Sequence, residues 1–146
     1  MKDSARILKI LEEQVRSYSS LYNLLKGEKE AIISFDPLTV ETLAREKDNI
    51  VLQLRLLEEE RKRLADEFFR DREGGKSISD LHSITGDRRF LDLRSQLLSL
   101  MQGIGELNEV NRLLIERASI HLRLSSAFFQ TFEIKASPSR TISREA

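Results

Sequence analysis

Phe90, Leu93, Leu97, Leu100, Ile104, Leu107, Asn111, Leu114, Ala118, His121, Ser125, Phe128 and Phe132 follow one another at alternating spacings of three and four residues. Only an α-helix gathers such positions on one face, and only a long one needs so many of them. The stripe contains no catalytic apparatus. It is a surface built to be covered, and the question it poses is what covers it.

The rest of the chain is also of helical composition. Its 146 residues suit one domain, a third of them are charged, and there are only two prolines and six glycines. Basic and acidic side chains number 24 each, whereas a nucleic-acid-binding surface normally shows a basic excess. Cysteine is absent, so disulfide and thiolate chemistry are excluded, in keeping with a reducing compartment. The N-terminus mixes charged and apolar residues from Lys2 onward and has no signal-peptide block, and no uncharged apolar run reaches membrane-spanning length. The expectation is a soluble cytoplasmic protein.

Three long helices are predicted, at about 4–34, 37–73 and 87–134, in a single domain over 1–136 followed by a flexible tail at 137–146. The first opens at Asp3 or Ser4, with the seam Leu8, Leu11, Val15, Tyr18, Tyr22, Leu25, Lys29, Ile32. Phe35-Asp36-Pro37 ends it: Asp36 suits an N-cap, Pro37 suits the first helical position, and Phe35 can staple onto Val40. A connection this short makes the first two helices antiparallel neighbours. The second seam is Val40, Leu43, Lys47, Ile50, Leu54, Leu57, Arg61, Leu64, Phe68, where the stems of Lys47 and Arg61 cover apolar surface and their charges reach water. Gly74-Gly75 closes this helix. Ile78, Leu81 and Ile84, preceded by Ser77 as a cap, make a short docked helix in the second connection. Asp87 caps the third long helix, within which Gly103 and Gly105 mark a bend or a close helix crossing. The fold class is therefore all-α, an up-down-up bundle with an extended C-terminal helix.

At 1.5 Å per residue the three helices span roughly 45, 55 and 70 Å. If Asp87 lies opposite Glu73, Pro37 lies opposite a residue near Arg123, and about a dozen residues of the third helix overhang the turn at Asp36. Phe128, Phe129 and Phe132 lie in that overhang, and an uncovered apolar patch usually marks a partner site. The competing expectation is that they fold back onto Phe35 or pair with a second copy.

Other motifs dissolve on inspection. Gly75-Lys76-Ser77 resembles the end of a phosphate loop, but Arg70 occupies the position of its first glycine and a helix precedes it. Gly103-Ile104-Gly105 has Asn108 where a dinucleotide fingerprint needs a third glycine. His82 and His121 have no partner at metal-ligand spacing. The run Glu58-Glu59-Glu60-Arg61-Lys62-Arg63 reads as a solvated helix face. Carboxylates abound, yet no pocket is implied that would tune them. No enzyme, cofactor or metal is expected. Asn111 stands out, since an Asn in an apolar seam either fixes register or only bonds a neighbouring carbonyl near the end of a bundle.

Two segments carry a family resemblance. One is Glu46-Lys47 followed by Ile50, Leu54, Leu57, Arg61 and Leu64; the other is Leu107-Asn108-Glu109-Val110-Asn111-Arg112-Leu113-Leu114-Ile115. In order and spacing, over nearly the whole chain, they resemble the FlgN family of flagellar export chaperones. The resemblance implies a cytoplasmic chaperone that binds the C-terminal helices of the hook–filament junction proteins, keeps them soluble and unassembled, and delivers them to the type III export gate. It places client binding toward the C-terminus, here at Asn111, Leu114, Ile115, Ala118, Leu122, Ser125, Phe128, Phe129 and Phe132. Some relatives have a Tyr-Gly pair in the tail associated with gate docking. This tail has no tyrosine, so no gate-docking residue is assigned. The alternative is a coiled-coil adaptor, or a homodimer through the third helix, with no flagellar role.

Overall fold

The structure, a computed structural model, describes residues 2–132; the side chains of 128–132 are not described. It is all-α, with α1 over Lys2–Ile33, α2 over Pro37–Phe68, α3 over Ile78–Thr85 and α4 over Arg89–Phe132. α1 is the central element. Backbone contacts run from α1 to α2, from α1 to α4 and from the short α3 to α4. The expected boundary at 136 and the tail at 137–146 lie outside the described residues. No described helix is long and apolar enough to cross a membrane.

Local chemistry sets the helix ends. The Asp36 carboxylate accepts from the Thr39 backbone N–H at 3.2 Å and from the Thr39 hydroxyl at 2.7 Å, with Pro37 at the helix start. These bonds hold the Asp36 carboxyl below the usual carboxylate range. Phe35, expected as a staple on Val40, is 60% exposed at φ 53, and its ring contact is with His121. α2 stops at Phe68, five residues short of the expected Glu73. Adjacent Phe68 and Phe69 are both buried, and their rings meet edge to face with centroids 5.0 Å apart. A continuing helix would swing Phe69 some 100° away from Phe68 around its axis; the chain turns instead. Arg72 covers the end, its guanidinium 4.7 Å from the Phe68 ring centre and its Nε donating to the Phe68 carbonyl at 3.3 Å. α3 opens with a reciprocal capping box between Ser77 and Asp80 and closes on Gly86, whose φ of 74 is the left-handed cap that favours glycine.

The interior alternates apolar and polar layers. At one end Ile7, Leu8 and Leu11 of α1 meet Leu64, Ala65 and Phe68 of α2, with Phe69, Leu81 of α3, and Phe90, Leu93 and Leu97 of α4. A polar layer follows. Gln14, 4% exposed, donates to Glu58 Oε1 at 3.0 Å, and Arg61 holds the same carboxylate with two bonds of 2.7 and 2.6 Å. Arg61's bonds draw the Glu58 carboxyl below its ordinary range against the opposing effect of burial. Burial, with the Glu58 charge second, pushes the Tyr18 phenol up. A second apolar layer joins Leu21, Leu25, Leu54 and Ile104. Lys47 and Arg61 thus do more than carry charge to water: Arg61 closes on the half-buried Glu58 and Lys47 on the buried Glu28.

The two α4 glycines have different causes. A Cβ on Gly103 would come 2.9 Å from Tyr22 Cε1, so this glycine is where α4 passes close to α1. A Cβ on Gly105 would meet nothing within 4 Å. α4 continues as helix through both positions. Gly105→Ala should therefore raise unfolding stability by about 1 kcal/mol, the helix-propensity difference. Gly103→Ala should gain much less, because the Tyr22 ring must shift. Urea titrations of the two variants check this, and equal gains would contradict the close crossing.

Candidate functional site

Two ring and side-chain contacts set the register of α4 against α1. Asn111 reaches Leu25, and Phe35 faces His121 at a centroid distance of 6.1 Å; both pairs are 86 residues apart in sequence (111 − 25 and 121 − 35). α1 and α4 therefore run side by side in the same direction, and α4 passes the α1–α2 turn at His121. The helix continues to Phe132, eleven residues further (132 − 121), or about 16 Å. α4 has 44 residues against 32 in each of its neighbours.

The last interior layer before this overhang is polar and joins all three long helices. Glu28 of α1 is 3% exposed and Asn111 of α4 is 2% exposed. Asn111 Nδ2 donates to the Leu25 carbonyl and to Glu28 Oε1, each at 3.0 Å, and Lys47 Nζ of α2 donates to Glu28 Oε2 at 2.9 Å. Asn111 was expected among the client-contact residues. It is instead enclosed in the bundle, where its amide answers a buried carboxylate and a helix carbonyl.

Beyond it the stripe opens. Leu114, Ala118 and Ser125 are half-buried, while Ile115 and Leu122 are exposed, Leu122 at 62%. Leu122 lies eighteen residues after Ile104 (122 − 104), five full turns, so it continues the core-facing line past the end of its cover. The side chains of Phe128, Phe129 and Phe132 lie outside the described part of the structure. Leu113, Ile120 and Leu124, exposed at 45%, 42% and 66%, were not expected. They stand on the opposite side of α4, half a turn from the core line. Following only the three-four seam hid them; their own spacing of seven and four was the available signal.

A helix that is apolar on opposite sides is normally enclosed. The end of α4 has that character with no described element around it past the turn. The site is thus a projecting apolar helix rather than a cleft. Among the described residues no group of three or more His, Cys, Asp or Glu could hold a metal ion.

Comparison with known proteins adds the family. No curated protein and no solved structure matches the chain. The family model described as FlgN protein matches residues 1–133, nearly its full length. A bundle of long helices that ends in a projecting apolar helix and matches this model throughout belongs to the FlgN family, the flagellar export chaperones.

Proposed function

We propose that the projecting end of α4 is the client-binding element, and that its clients are the hook–filament junction proteins, held through their C-terminal helices. The observation that carries this reading is the exposure of Ile115 and Leu122 on one side of α4 and of Leu113, Ile120 and Leu124 on the other. Terminal segments that are amphipathic helices would self-associate if left bare, and an apolar rod offers them anchors at helical spacing. Leu114, Ala118 and Ser125 complete the inner line, and Phe128, Phe129 and Phe132 extend it in sequence.

The chaperone works in the cytoplasm without nucleotide and hands the client to the export gate by competition there. Dissociation of the purified complex that required ATP hydrolysis by this chain would overturn the passive mechanism. The binding site itself is tested by calorimetric titration of the full chain with the isolated C-terminal helices of a junction protein. Leu122→Asp and Ile115→Asp should each weaken binding by thirtyfold or more, about 2 kcal/mol. Both side chains are exposed in the free chain, so its melting temperature should hardly move. Unchanged affinity in both variants would remove the site from α4.

A further inference from the structure

The charges around the projecting helix specify more than its apolar residues do. The chain as a whole is neutral, yet from Arg117 to Phe132 it carries Arg117 and Arg123 and no carboxylate; acidic residues resume only at Glu133. Two other α4 cations, Arg112 and Arg89, are compensated. Arg112 is paired with Glu109 at 2.7 Å and with Glu116 at 3.0 Å, and Arg89 with Asp87 at 2.7 Å. Arg117 and Arg123 make no ion pair with any described residue.

Their placement is ordered. Arg123 sits next to Leu122 on one flank of the inner line, and Arg117 sits on the other flank. Cations on both flanks of an apolar stripe occupy the positions that, in paired helices, select a partner by charge. We propose that the segment docked on this helix is an amphipathic helix whose apolar stripe is bordered by Asp or Glu on both sides. This rests on the reading of the α4 end as the client site, and adds the chemistry by which a client is chosen.

Two other occupants fit less well. A second copy over the same segment would set cation against cation. A membrane-surface helix needs a strongly polar face opposite its apolar one, whereas here Leu113, Ile120 and Leu124 occupy that face.

The test uses the full chain and three synthetic amphipathic peptides with one common leucine stripe, flanked by Glu, Gln or Lys. Fluorescence anisotropy at 50 mM and 500 mM salt reads their affinities. The Glu peptide should bind about tenfold more tightly than the Lys peptide at low salt, with the difference shrinking at high salt. The double variant R117Q/R123Q should abolish that preference and leave the Gln peptide's affinity unchanged. Equal binding of the Glu and Lys peptides, or a preference that survives the double variant, overturns the proposal. So does co-sedimentation with phosphatidylserine vesicles that the Glu peptide fails to displace, or a dimer in sedimentation velocity that the same peptide fails to dissociate. If Leu122→Asp leaves all three peptides bound as before, it is the α4 site that fails, and the charge selection with it. If Leu122→Asp removes binding while the Glu and Lys peptides remain equal, only the charge selection fails.

Discussion

Replacing Phe90 by Ala should lower the unfolding free energy by about 3–5 kcal/mol, the range for removing a fully buried aromatic ring. Phe90 is 1% exposed and sits where all four helices converge, among Ile7, Leu8 and Leu11, Leu64 and Phe68, and Leu81. No single neighbour can move in to fill the space, because these side chains are anchored on three different helices and each is itself held. A domain is usually stable by only 5–15 kcal/mol, so the loss takes a large share of the total. The melting temperature should fall by roughly 10 °C or more. Leu98→Ala, eight residues along the same helix but 51% exposed, should change stability by no more than about 0.5 kcal/mol. Denaturant titration of the two variants separates them. A Phe90→Ala loss under about 1 kcal/mol would mean that Phe90 does not hold α4 to the other three helices at this end of the bundle.

The second large effect is expected at the polar layer. Lys47→Leu leaves the Glu28 carboxylate, 3% exposed, with only the Asn111 amide as partner. Breaking a buried pair by removing one member typically costs 3–5 kcal/mol; Lys47 keeps 30% side-chain exposure, which argues for the lower end, about 3 kcal/mol. Replacing Lys47, Glu28 and Asn111 together by Leu should recover the loss, since no charge is then stranded. A loss in the single variant that the triple variant recovers is the diagnostic result. A single variant within about 0.5 kcal/mol of the parent would show that water, rather than Lys47, compensates Glu28. Asn111 is the last fully buried α4 residue, so this layer closes the interior before α4 passes the α1–α2 turn at His121.

That layer shows how much could be read from the chain. Lys47 and Asn111 are visible as polar intrusions in otherwise apolar seams. Glu28 lies three and seven residues after Leu25 and Leu21 on the α1 face, and a carboxylate there calls for a cation and a donor on the facing helices. The three exceptions answer one another. Following Lys29 as the seam residue concealed this, because a two-residue-wide stripe such as Leu24-Leu25 and Ala31-Ile32 leaves the choice of seam open.

The helices, the Asp36 cap, the docked α3 and the overhang of α4 followed from periodicity and length, which are local properties. The early end of α2 did not, because it depends on Phe69 turning into a core made by other helices. The outer apolar line of Leu113, Ile120 and Leu124 was legible but masked by the stronger inner line. The ring contact of Phe35 with His121 was not legible, since it depends on the positive φ at Phe35.

The projecting end of α4 should be bare in the free chaperone and covered in the complex. Hydrogen exchange of the full chain, alone and saturated with the C-terminal helices of a junction protein, measures this directly. An unsupported helix end opens easily, so amides of residues 122–127, past the turn, should exchange quickly in the free chain. On binding they should slow by a hundredfold or more, while residues 90–107, already packed on α1, stay as they were. Protection appearing on 90–107 or on α2, with 122–127 unchanged, would contradict a client site on the projecting end.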